Sequence, residues 1–380
     1  MTGLGVSFRS LGNGNRMLGS RFGRFLVLAG VNAVLLAVVI IGFEIAFGNW
    51  FLPYVPPRSA IVDRTLTFRQ FLYDPPSVVT YVRDRYALRG VRGPLENVKL
   101  VTLGGSTTDQ RFITEGETWQ DVVAALTGIP VANAGIDGMS STGHLMALQE
   151  WLHQIPGLRA RTYLHYIGVN DAWLPGELVP SDQSGASSWT TRLRLRSAII
   201  QAAARSWARI RGAEEVRHGR VAPHQLDGLQ PTKAEVDRQQ IHDFVETRYK
   251  PNLRRLIDLH HANGERAIFI SQPHHPAVVL HRGDDVFMIP PLVTERWAVA
   301  IGIINAATED VCRRRVDACR FIDVAGKVGF EQEDFYDSVH VTPAGARKLG
   351  AYLAKELMGL AETDAAPLAV VPAQAGTQNH

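Results

Sequence analysis

The stretch GGSTT, Gly104–Thr108, places a serine directly after two glycines at the end of the apolar run VKLVTL. A serine there is either a helix cap or a nucleophile. As a nucleophile Ser106 needs a base for its proton, a group to orient that base, and donors for the oxyanion. The chain offers each part. His340 in DSVH supplies an imidazole, and Asp337 stands three residues earlier, within reach across a tight turn. The backbone N–H groups of Ser106 and of Gly138 in NAGIDG, with the side-chain amide of Asn170 in GVND, form a candidate oxyanion hole.

Each residue alone has an ordinary explanation. Ser106 can cap a helix, and Asn170-Asp171 can be a cap or an Asx turn. Gly138 can supply a positive φ, and an Asp-x-x-His can be a surface turn, with Asp334 then the nearest other partner for His340. Their joint occurrence, in this order and each at the end of a strand-like run, points to acyl transfer through a serine. Other layouts fit worse. Thr108 stands where a G-x-S-x-G elbow needs its last glycine, and no H-E-x-x-H, Walker A or G-x-G-x-x-G pattern occurs. His274 and His275 in SQPHHP could line a pocket, but they lack carboxylate companions at ligand spacing, so no metal is expected.

With GGSTT, NAGIDG, GVND and DSVH in order, the chain resembles the SGNH or GDSL-like hydrolases over about residues 97–360. The resemblance implies a three-layer α/β/α, flavodoxin-like fold, no cofactor or metal, and hydrolysis or transfer of acyl groups. It assigns Ser106, His340 and Asp337 to the triad and Ser106, Gly138 and Asn170 to the oxyanion hole. One departure stands out: Gly105 replaces the aspartate of the better-known Gly-Asp-Ser block. That aspartate is not the catalytic acid, so the triad is unaffected and a divergent branch is indicated.

The elements that must position these residues alternate. VKLVTLGG, PVANAG, TYLHYIGVND, RAIFISQP and CRFIDVAG read as strands. Helices are expected through ETWQDVVAALTG, STGHLMALQEWLHQI, Asp237–His261 and ERWAVAIGIINAATEDVCRRR, and through TPAGARKLGAYLAKELMGL, capped by Thr342 with Pro343 first. Alternation of this kind predicts a parallel sheet covered on both faces, with ligands beyond the carboxyl ends of the strands. Residues 97–360 are expected to be the hydrolase-like domain, with an Arg-rich insertion at about 175–231 near the site. An extended lead-in over 47–96 precedes it, and a disordered tail over 361–380 follows.

The whole chain has 380 residues, a formal net charge of +3 and no Lys/Arg block with interleaved aromatics, so nucleic acid is not an expected partner. Two cysteines, Cys312 and Cys319, exclude a disulfide framework; two buried thiols are expected ahead of a bridge. FLVLAGVNAVLLAVVIIGF, Phe25–Phe43, is long enough to cross a bilayer. An anchor is expected over 25–46, in preference to a cleaved signal with Ala46 and Gly48 near the cut. Arg9, Arg16, Arg21 and Arg24 precede the span, while Glu44 and only Arg58 follow closely. That asymmetry keeps the tail of residues 1–24 in the cytoplasm and puts the later residues on the extracytoplasmic, periplasmic side. The expected substrate is then an acylated small molecule or glycan, with an acetyl ester of the envelope or an exported glycan first. Two alternatives remain: an O-acetyltransferase working with an envelope partner protein, and an inactive scaffold on a hydrolase fold.

Overall fold

The computed structural model describes residues 13–51, 53–54, 56, 61–73, 75–173, 189–210, 238–274, 280–282, 285–287 and 291–365. The chain divides into two units, one of residues 1–52 with 192–210 and one of 53–191 with 211–380.

In the first unit a single helix, α1 (Asn13–Phe47), carries an apolar stretch, Gly23–Phe47, of 25 residues, none of it buried within the protein. In the second, β1 (Arg64–Arg69) and β2 (Val78–Arg83) pair antiparallel, Leu66 opposite Tyr81. The expected lead-in is therefore not merely extended. Leu66, Phe68, Val79 and Tyr81 alternate along the hairpin as half-buried strands do, and they pack with Leu72, Tyr73, Phe112 and Tyr336 in one buried cluster.

The main sheet follows. β3 (Leu100–Gly104) leads into α2 (Ser106–Asp109), and α3 (Trp119–Thr127) leads into β4 (Val131–Asn133). Thr118 and Asp121 form a reciprocal capping box at the start of α3, and Gly128 ends it at φ 71°. α4 (Ser141–Met146) passes through a π turn into β5 (Thr162–Tyr166), which is followed by α5 (Val169–Trp173). The expected insertion contributes α6 (Trp189–Arg196) and α7 (Ala198–Ile210). Residues 192–210 group with α1 in the first unit.

α8 (Arg238–Phe244) and α9 (Lys250–Ala262), joined by a π turn, precede β6 (Arg266–Ile270). A small antiparallel pair, β7 (Leu280–Arg282) and β8 (Asp285–Phe287), comes before α10 (Pro291–Arg313). β9 (Cys319–Ile322), α11 (Val324–Lys327) and α12 (Pro343–Ala365) complete the chain. Thr342 caps α12 by accepting from Gly345 N at 3.3 Å. The helix runs five residues into the expected tail; residues 366–380 lie outside the described set. Cys312 and Cys319 are joined as a disulfide, against the expectation of two thiols. The turn after α10 brings their Cα atoms to 5.2 Å, within bridging range.

The five strands run parallel in the order β4-β3-β5-β6-β9. The sheet reverses direction of growth at β3, so the crevice beyond the ends of β3, β4 and β5 is where a ligand belongs. Leu164 and Tyr166 of β5, with Leu100, Ile268 and Ile322, meet Trp119, Val123, Leu349 and Leu353 from α3 and α12. Period-2 alternation turns Tyr163 and His165 to the other face. There the imidazoles form a line: His144 Nδ1 to His165 Nδ1 at 2.9 Å, His165 Nε2 to His260 Nε2 at 2.9 Å, and His260 Nδ1 to Glu265 Oε2 at 2.8 Å. His153 Nε2 reaches the same carboxylate oxygen at 3.1 Å.

Candidate active site

β3 delivers Ser106 through Gly104 and Gly105. The helix cap here is Gly105, and Ser106 is the first residue of α2, so its hydroxyl is not spent on capping. In that first turn the Ser106 N–H has no acceptor within the helix. Asp109 closes the turn at the other end. Tyr81 donates to its Oδ1 at 2.7 Å and Arg83 at 2.5 Å, both from β2, and all three side chains are buried. Burial opposes ionisation of Asp109, yet Arg83, with Arg111 and Arg89, holds its carboxyl below the ordinary value. Arg83 also donates to the carbonyls of Ala87, Asn133 and Gly135. Arg89 donates to those of Asp109, Gln110 and Ile113. Two arginines of the expected lead-in thus grip the backbone around the Ser106 segment. No motif marks them among the three arginines of YVRDRYALRG; the available signal is basic residues beside strand-like alternation.

His340 lies between Phe335 and Val341, which form an isolated antiparallel bridge across the turn. Its Nε2 is 2.7 Å from Ser106 Oγ, and its Nδ1 is 2.6 Å from Asp337 Oδ2. The other carboxylate oxygen of Asp337 accepts from Val339 N at 2.9 Å and His340 N at 2.7 Å. One oxygen therefore fixes the turn while its partner orients the ring. Tyr336 stacks on His340 with 5° between planes and 5.5 Å between centroids. The two side chains of the pair remain 22% and 18% exposed, so the arrangement is open to a substrate. Burial lowers the tendency of His340 to hold a proton, but Asp337, with smaller contributions from Asp137 and Asp109, outweighs it and raises its pKa. For Asp337 burial again opposes ionisation, and His340 and the two amides hold its pKa below the ordinary value. Asp334 is not the partner: it pairs with Lys348 at 2.7 Å and caps the turn at Glu331 N.

Asn170 sits in α5 and does not cap it. Its Nδ2 donates to Met139 O at 2.9 Å, which fixes the amide plane. A Cβ added at Gly105 would lie 2.1 Å from that nitrogen and 3.5 Å from Met139 O. The backbone beside Ser106, the amide of Asn170 and the residue after Gly138 therefore meet at one point. This contact gives the missing aspartate of the serine block a steric cause. Gly138 has φ 79°, a left-handed conformation that glycine adopts without strain. Asp171 is a separate link: its carboxylate accepts from Ser141 N at 2.9 Å and Ser141 Oγ at 2.6 Å, tying α5 to α4. His274 is exposed, and His275 lies outside the described residues. A cavity of about 540 Å³ between α8, α9 and α10 is lined by none of Ser106, Asp337 and His340 and is not this site.

The family model for the GDSL-like Lipase/Acylhydrolase family matches residues 102–348. The chain belongs to that family. The match spans all four blocks, and the parallel five-stranded sheet, flanking helices and apolar N-terminal helix are those the sequence implied. Comparison with the curated proteins finds no match. Among solved structures, it is similar to an acetylxylan esterase from Geobacillus stearothermophilus at 15% identity, covering 70% of this chain and 95% of that one, with TM-score 0.38. A GDSL-like lipase from Bacteroides thetaiotaomicron matches at 12% identity over 70% and 89%, TM-score 0.35. An alpha/beta hydrolase enzyme from the metagenome of Lake Arreo, Spain, matches at 16% over 69% and 94%, TM-score 0.37.

Proposed function

We propose that this acylhydrolase is a serine esterase that cleaves acyl, first of all acetyl, esters by two-step transfer. Ser106 Oγ attacks the ester carbonyl as His340 Nε2 takes its proton, and His340 then protonates the departing alcohol. Asp337 holds the ring and stabilises the imidazolium. The oxyanion is met by Ser106 N–H, Gly138 N–H and the second hydrogen of the Asn170 amide, the first being committed to Met139 O. Water, deprotonated by His340, releases the acyl group and restores the serine. No step calls for a cofactor. The observation that carries this reading is the unbroken contact from Asp337 through His340 to Ser106 Oγ, at 2.6 and 2.7 Å.

We further propose that α1 is an uncleaved anchor and that the catalytic unit works outside the cytoplasm, on an envelope or exported glycan ester. Glu44, Trp50 and Arg196 interlock across the position where a signal would be cut, and cleavage there would remove Glu44 from the folded protein. The Cys312–Cys319 bridge fits an oxidising compartment. Mass spectrometry of alkylated, unreduced protein should find neither cysteine modified; two modified thiols would contradict that location.

The test is turnover of aryl acetate by the full chain in detergent, with and without a sugar acceptor. Ser106→Ala should abolish turnover while leaving thermal unfolding unchanged, and a fluorophosphonate should label Ser106. Ser140 and Ser141 should stay unlabelled, because Ser140 caps α4 and Ser141 is bound to Asp171. Labelling that survives in Ser106→Ala would refute the assignment. Acetyl appearing on the sugar rather than in water would make the chain a transferase.

A further inference from the structure

The end of α1 is bonded to the start of α7. Glu44 lies one turn before the helix ends at Phe47. Its Oε1 accepts from Ser197 Oγ at 2.6 Å and Ile199 N at 3.1 Å, and its Oε2 from Ala198 N at 2.9 Å and Trp50 Nε1 at 2.8 Å. Two of these donors are amides of the first turn of α7, which otherwise lack acceptors. Arg196 donates to Trp50 O at 3.0 Å, and Asn49 N to Arg196 O at 2.7 Å, so the chain leaving the span is fastened to the same corner.

α7 itself is two-sided. At roughly 100° per residue, positions 199, 203 and 207 fall on one side and 201, 205 and 209 on the other. The first set is Ile, Ala and Trp, and the second Gln, Arg and Arg. Ile199 is 38% and Trp207 56% exposed, so the apolar side keeps surface open to solvent. The 13-residue helix is about 20 Å long.

We propose that α7 lies in the interface of the bilayer that α1 crosses, with Ile199, Ala203 and Trp207 at the acyl boundary and its arginines among anionic phospholipid headgroups. The proposal rests on reading α1 as an anchor. The span fixes what covers the helix: an apolar stretch of 25 residues, none of it buried within the protein, has only lipid to bury it. α7 begins at the polar end of that stretch, at headgroup level. A helix with an apolar side carrying Trp and a basic opposite side is the type that settles there. Basic residues near an anionic surface add attraction that salt screens.

Single-cysteine variants test this, because the native cysteines are bridged and leave a thiol-reactive fluorophore for the new site. Ile199→Cys, Ala203→Cys, Trp207→Cys, Gln201→Cys, Arg205→Cys and, within the span, Val34→Cys are labelled and the full chain reconstituted in phosphatidylcholine–phosphatidylglycerol bilayers. Nitroxide-bearing lipid should quench 199, 203 and 207 strongly and 201 and 205 weakly, with Val34 quenched in parallel. The contrast between the two sides should shrink in pure phosphatidylcholine. Unchanged aryl-acetate turnover verifies that each variant is folded. Uniformly weak quenching along α7 with Val34 quenched would overturn the interfacial helix and leave the anchor standing. An unquenched Val34 would overturn both.

Discussion

On the proposed mechanism, His340 and Asp337 set the operating pH. His340 must be neutral to accept the Ser106 proton, and its pKa is raised, against the effect of burial, chiefly by Asp337. Turnover should therefore fall on acidification through a value above the ordinary imidazole range. Asp337→Asn should move that limb to lower pH and drop the plateau, since the ring loses both its charge partner and its firm orientation. An unmoved limb would make Asp337 a turn residue only. The stability linkage has the opposite sense. The raised His340 contributes fully below the unfolded imidazole value and loses its contribution as pH rises through the folded one. The lowered Asp337 contributes above the unfolded carboxyl value and loses it as pH falls. Both contributions are whole between about 4 and 6.5, so the pair steadies the fold most where turnover is already declining. Gly105 is the second case. Gly105→Ala must displace the Asn170 amide, and Asn170→Ala removes it, so each should cost roughly 10²–10³ in turnover, as loss of one oxyanion donor does. The double variant should cost no more than Asn170→Ala alone, because the clash has gone; an additive loss would separate the two residues.

Among elements, the β1–β2 hairpin matters most for what the sequence concealed. The four blocks were legible because each is short and local, so Ser106, Asn170, Asp337 and His340 could be named without knowing the sheet order. The hairpin's role was not, since Arg83 and Arg89 act through carbonyls as well as side chains far along the chain. The prolines of PYVPPRS, residues 53–59, break any helix, so residues 47–96 read as an extended lead-in. The same reasoning hid the bond from α1 to α7, whose partners are more than 150 residues apart. Removing one member of a buried ion pair strands the other, at about 3–5 kcal/mol. Arg83→Met should therefore lower the unfolding midpoint steeply and reduce turnover by loosening α2. Adding Asp109→Leu should recover part of the lost stability; a double variant worse than Arg83→Met would show that Arg83 serves mainly the carbonyls.

For the molecule as a whole, the line of histidines crosses the catalytic unit from the start of β6 to α4, and simple proton counting gives it a direction. Burial opposes ionisation of Glu265, but the bonds from His153 and His260 hold its pKa down, so it is an anion. Burial lowers the pKa of His260 and takes that of His165 well below the ordinary value, and it brings that of His144 to about 3, so all three rings are neutral. Each neutral ring owns one hydrogen. His260 must give its hydrogen to Glu265, leaving Nε2 to accept from His165. His165 in turn must accept at Nδ1 from His144. The series admits one tautomer at every ring, and it ends on a bare lone pair at His144 Nε2, an atom with no hydrogen-bond partner among the described residues. Nitrogen-15 spectra of the full chain should show an unprotonated Nε2 at His144 and a protonated one at His165. Finding the hydrogens on the opposite nitrogens would mean that Glu265 had ceased to be an acceptor, and every ring would have reversed with it.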